Sequence, residues 1–246
     1  MFLAIVYEPF RIKFLRAAAV VFEDDATVTG SVKLTDDTRI IAKGSAVRGT
    51  ISGVVSGDRL SVYRGSGTVV LAGANTYSGG TLVRQSSLAL VRGDSAGTGD
   101  VTLDGGTLAF ENGENATFTN TISGVGTVAL RGSAPLLFRC DKSGLDAALD
   151  LCGTEQTFTE WPPFGSITNS LGRKATIALA GGLGRVEWPG FELGGKISLD
   201  VGAGTVLDLG GSTIEVYRLE RGAADRIVNG TVNEQNPLRG MLLYIR

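Results

Sequence analysis

Two acidic doublets, Asp24-Asp25 and Asp36-Asp37, stand 12 residues apart with Lys33 and Arg39 nearby. On adjacent turns of one sheet they could serve a polysaccharide lyase or a glycosidase, the latter needing two carboxyl groups about 5–9.5 Å apart across a sugar bond. Aspartate is also a preferred turn residue. Both doublets fall between short apolar runs, so the turn reading is the favoured one. Histidine is absent from all 246 residues. That removes Ser-His-Asp and Cys-His nucleophilic machinery in their usual forms, and any Cys/His zinc site. No loop carries the regular aspartate spacing of a calcium site. GFELGGKIS (190–198) imitates a phosphate-binding loop as far as Lys196, but Ile197 follows where Ser or Thr is required. The stretch then continues as a strand and not a helix. No catalytic residue, cofactor or metal is therefore expected.

Three further groupings carry possible chemistry. Arg92-Gly93-Asp94 is a tripeptide that binds integrins in host-facing proteins, and it lies between two strand-like runs where exposure is expected. It is a candidate binding turn. The plainer reading is an ordinary polar turn, because six of the 17 arginines precede a glycine. Asn115-Ala116-Thr117 and Asn229-Gly230-Thr231 match glycosylation sequons, and they read equally as turns. Cys140 and Cys152 could form a disulfide in an oxidising compartment or be two small buried side chains.

Most of the chain is built to position such groups and not to react. Short runs of period two, dense in Val, Ile, Leu and Thr, alternate with Gly, Asn, Asp and Ser. Examples are TRIIA (38–42), RLSVY (59–63), GTVVL (67–71), SLAL (87–90), GTLAF (106–110), ATIAL (175–179) and GTVLDL (204–209). Each reads as a half-buried strand ending at a turn. SGLDAALDL (143–151) fits either a short helix or a strand. Glycine supplies 36 of 246 residues, about twice its usual share of roughly 7%, without the triplet period of collagen. One such unit cannot bury its own apolar face, but stacked units can. The fold class expected is all-β, a right-handed parallel β-helix with coils of about 20–25 residues. Its domain would span 19–246 after an atypical lead segment, 1–18.

Net charge is −2 and the isoelectric point about 5.3, which argues against a nucleic-acid partner. No apolar stretch is long enough for a membrane helix. The N-terminal stretch is a poor signal peptide, since Glu8, Arg11, Lys13 and Arg16 interrupt its apolar run.

GSGTVVLAGANTYSGGTLVRQSSLAL (65–90) closely resembles the autotransporter-associated β-strand repeat of bacterial surface and secreted passenger proteins. The match runs through Gly65, Gly67, Thr68, Leu71, Gly73, Asn75, Thr76, Tyr77, Gly79, Gly80 and Thr81. It is good over 47–130 and weaker over 145–232, where LDLCG (149–153) and LDLGG (207–211) are similar to the Leu-Asp-Leu-x-Gly units of that family. Ser86-Ser87 and Cys152 depart from the pattern, and MLLYIR (241–246) is not followed by translocator strands. The sequence is expected to be a fragment or to carry a misplaced start. The resemblance implies a non-catalytic structural or adhesive module at the cell surface or outside the cell. Its partners would be neighbouring repeats of a longer parent chain and a host-surface protein or glycan. Within the motif, Asn75 is expected to hydrogen-bond its own turn. Gly79-Gly80 should form a positive-φ corner, and Tyr77 should cover the core edge with its hydroxyl in water.

Overall fold

The structure is a computed structural model and describes residues 12–15, 19–35, 38–134, 136–139, 144–162, 164–220 and 223–235. It is a parallel β-solenoid. The chain divides into two compact units, Met1–Ala147 and Ala148–Arg246, the division falling inside the strand Leu145–Asp150.

In the first unit each coil contributes up to three short strands, and like strands stack in parallel. One stack runs through Ala19–Phe22, Thr38–Ala42, Leu60–Tyr63, Thr81–Arg84 and the first parts of Val101–Phe110 and Ile122–Leu130. A second runs through Ala26–Val28, Arg48–Ile51, Thr68–Leu71, Ser87–Leu90 and the later parts of the same two long strands. The third pairs Val32–Leu34 with Val55–Gly57 and continues through single backbone bonds from Thr76 to Val55 and from Thr98 to Tyr77. Thr81 stands opposite Leu60 on one side and Val101 on the other, so a coil here takes 21 or 20 residues. The lead segment departs from this pattern: Ile12–Leu15 pairs antiparallel with Ala19–Phe22.

Period two makes alternate residues of each strand face inward, and stacking turns them into columns. Ile51, Leu71, Leu90, Phe110 and Leu130 share one register and are all buried. Each such side chain contributes about 1.5–3 kcal/mol when removed from water. Phe110, Phe118 and Phe138 pack edge to face at centroid separations of 5.0, 5.5 and 6.4 Å.

The second unit repeats the scheme. Ser166–Thr168 pairs with Glu192–Gly194; Glu155–Phe158, Ala175–Leu179, Ile197–Val201 and Arg218–Leu219 form a stack; Gly184–Glu187, Thr205–Asp208 and Ile227–Val228 form another. All these pairings are parallel. The segment that fitted helix or strand is the strand Leu145–Asp150, with Ser143 outside the described residues. The only helix among the described residues is the three-residue turn Ala224–Arg226. None is long and apolar enough to cross a membrane.

Candidate functional site

The repeat motif is concentrated on holding one coil to the next. Asn75 is buried at 5% exposure. Its Oδ1 accepts from the Val55 amide at 2.8 Å, and its Nδ2 donates to the Ser95 carbonyl at 2.6 Å. One amide side chain therefore joins three successive coils. This corrects the local-turn expectation: the partners are 20 residues away on either side. Asn169 acts similarly in the second unit, accepting from the Gly153 amide and donating to the carbonyls of Arg173 and Lys196.

Tyr77 also differs from expectation. Its ring is fully buried, and its hydroxyl lies 2.7 Å from Thr81 Oγ1, not in water. Burial pushes the phenol well above its ordinary range, against the opposing effect of the Thr81 hydrogen bond. Leu71 and Thr81 are likewise buried, Thr68 donates its amide to Val47, and Thr76 is exposed with its amide bonded to Val55.

The motif glycines divide into two physical classes. Gly80 turns at φ +84°, as a corner requires. Gly65, Gly67, Gly73 and Gly79 have no positive φ. Instead, a Cβ at these positions would lie 2.4 Å from Ala42 O, 2.5 Å from Val47 O, 2.4 Å from Gly53 O and 2.7 Å from Arg59 N. They are glycines because the backbone of the preceding coil occupies that space.

The Leu-Asp-Leu units serve a second capping device. Asp150 accepts from the Cys152 amide and from both the amide and hydroxyl of Ser170. Burial disfavours its charge, yet these bonds hold the carboxyl below its ordinary range. Asp208 accepts from the Gly210 amide and from Arg185, and these also lower its carboxyl. Cys152 and Gly210 occupy the same place in the two Leu-Asp-Leu motifs, both in the second unit, with φ +49° and +57°. Cys152 is buried; Cys140 lies outside the described residues.

Arg92 and Asp94 are exposed and clasp each other, Nε to Oδ1 at 2.9 Å and Nη2 to Oδ2 at 3.2 Å. The Arg92 hydrogen bond lowers the Asp94 carboxyl. Gly93 presses against the next coil, where a Cβ would lie 2.3 Å from Thr117 O. The turn borders a shallow depression of about 610 Å³, lined on its other side by residues 112–117, which lead into the strand Ala116–Phe118. The tripeptide is thus at the surface with its two charges already paired.

Of the acidic doublets, Asp25 accepts from the Arg48 amide at 2.7 Å and Asp24 is exposed; Asp36 and Asp37 lie outside the described residues. Arg39 lies over the ring of Tyr63. The phosphate-loop imitation is two strands, Glu192–Gly194 and Ile197–Val201. Asn229 sits at φ +52° in a turn. Among the described residues no three Cys, Asp or Glu side chains converge as metal ligands do.

One cluster escaped the sequence reading. Trp161, Trp188 and Phe191 meet edge to face at 5.2–5.4 Å, and Trp161 Nε1 donates to the Glu187 carbonyl. The signal was present as a repeated Trp-Pro-x-Phe, WPPF (161–164) and WPGF (188–191). Both tryptophans are half-buried.

No family model matches the chain, and no curated protein or solved structure matches it.

Proposed function

We propose that this chain is a non-catalytic structural and adhesive module of a bacterial surface or secreted protein, a passenger-type solenoid of the autotransporter-associated repeat kind. The observation that carries the reading is the use of its polar side chains. Asn75, Asn169, Asp25, Asp150 and Asp208 each bond backbone amides or carbonyls of their own or adjacent coils, and Asp150 and Asp208 add only the Ser170 hydroxyl and the Arg185 guanidinium. Carboxylates used in this way are caps and not acids poised to transfer protons, and the donors around Asp150 and Asp208 favour their ionised forms. What remains for partners is the row of exposed turns and outer strand faces, with rigidity supplied by the ladder beneath.

The rival reading is a β-helical lyase or glycosidase acting through paired carboxylates. Incubating the purified chain with a panel of neutral and acidic polysaccharides separates the two. The proposal expects adsorption to a ligand or cell surface without new reducing ends or unsaturated products. Product formation that Asp24→Asn plus Asp25→Asn abolishes would overturn it. Antibody labelling of intact source cells tests the location; signal only after lysis would refute a surface role.

A further inference from the structure

The outer face of the first stack in the unit Met1–Ala147 carries a cationic cluster that folding alone does not require. Three guanidinium carbons lie near the centroid of the Tyr63 ring, Arg39 at 5.3 Å, Arg64 at 5.1 Å and Arg84 at 5.7 Å. They come from three successive coils. Arg84 stands directly opposite Tyr63, and Arg39 opposite Ser61, two residues back on the same face. Arg84 pairs with Asp104 at 3.0 Å, both side chains being 41% and 53% exposed. Arg39 and Arg64 are exposed, and neither has an ion-pair partner among the described residues.

Two features make the arrangement costly. Three like charges gather in a chain whose net charge is −2. Arg64 also adopts φ +44°, a left-handed backbone conformation that side chains other than glycine rarely take. An exposed cation–π contact returns little stability, so the cluster points to something outside the chain.

We propose that Arg39, Arg64 and Arg84, gathered around Tyr63, form a binding site for an acidic polysaccharide. The proposal rests on the adhesive reading above and names its ligand class. Attraction to the ring leaves guanidinium N–H groups to grip carboxylate or sulfate two at a time. Arg39 and Arg64 have no competing ion pair among the described residues, and at Arg84 the ligand competes with the exposed Asp104. Holding the forks on one ring reduces the ordering cost of binding. The forks rise one coil at a time, at the strand spacing of about 4.7–4.9 Å. A linear polymer bearing charges along its length engages all three, whereas a single small anion engages one. A nucleic acid is a poorer fit, because the site offers a single aromatic ring and the chain as a whole is acidic.

The test is titration of the full chain with dextran sulfate, polygalacturonate, neutral dextran, inorganic sulfate and an oligothymidylate, with folding checked by circular dichroism. At least one acidic polysaccharide should bind, neutral dextran should not, and 1 M salt should abolish binding, where the screening length is about 3 Å. Arg39→Gln plus Arg64→Gln should weaken binding by roughly tenfold or more. Tyr63→Leu, which leaves every charge in place, should also weaken it. Arg131→Gln plus Arg139→Gln removes the same charge elsewhere and should leave it within about twofold. Equal loss in both double variants would overturn the proposal. So would inorganic sulfate competing as well as the polymers, tighter binding of the oligothymidylate, or no polysaccharide binding at all. None of these results touches the non-catalytic structural reading, which is tested separately by cleavage of the polymer and by antibody labelling of intact cells.

Discussion

Replacing Asn75 tests the central physical claim that polar side chains zip successive coils together. Its carboxamide joins the Val55 amide to the Ser95 carbonyl, and both of those residues are fully buried. Asn75→Ala strands one donor and one acceptor out of reach of bulk water. Each stranded group costs about 1–3 kcal/mol, and a water entering the vacated space recovers part of this. The expected destabilisation is therefore roughly 2–5 kcal/mol. Asn75→Asp sharpens the test. The new carboxylate can still accept from Val55 but, when ionised, faces the Ser95 carbonyl with no proton to donate. Burial and that carbonyl raise its folded pKa above the unfolded value of about 3.9. The folded state then binds the extra proton, so this variant should gain on Asn75→Ala as pH falls from neutral toward about 4. Urea denaturation at pH 7 and at pH 4 to 5 measures both effects, and amide exchange at Val55 reports the broken bond directly. An Asn75→Ala protein within about 0.5 kcal/mol of the parent, with Val55 exchange unchanged, would refute the staple.

Gly73→Ala places a Cβ 2.4 Å from the Gly53 carbonyl oxygen and should destabilise by about 1–3 kcal/mol. Gly113→Ala meets nothing within 4 Å and should change thermal unfolding little; equal effects would refute the close-approach account. Gly210 also has open space around it but turns at φ +57°, so Gly210→Ala should cost about 1–2 kcal/mol from backbone strain alone. A neutral result in a urea titration would contradict that. Asp150 has a lowered folded pKa, so its contribution is present above the unfolded value of about 3.9 and disappears as pH falls through the folded value. Asp150→Asn should therefore lose stability at pH 7 and show a flatter profile between pH 5 and 2; an unchanged slope would argue against the cap.

Several elements were legible before any coordinates. Period-two runs such as TRIIA and GTVVL are strands because alternate β-branched residues give each one an apolar side, and Thr38–Ala42 and Thr68–Leu71 are strands in the structure. Parallel stacking followed from units too short to bury themselves. The roles inside the motif were less legible. Asn75 and Tyr77 carry strong turn and surface preferences, and those were overridden by partners one coil away. The Trp161–Trp188 contact had a visible signal in its repeated tetrapeptide. The gathering of Arg39, Arg64 and Arg84 had none, because they stand among other arginines at unremarkable spacing.

Local chemistry thus determined the strands, the turns between them and the stacking of coils, since these depend on alternation and on units unable to form a core alone. The tertiary structure decided which residues meet. Contact in a solenoid links a residue to those about one coil before and after it, and the coil length varies with every loop. Gly65 and Gly73 are glycines of close approach only because of what the neighbouring coil places beside them, whereas Gly80 is required by its own conformation and by the carbonyl of Asp100 as well. The same register brings three guanidinium groups to one tyrosine, a juxtaposition that spacing along the chain cannot express.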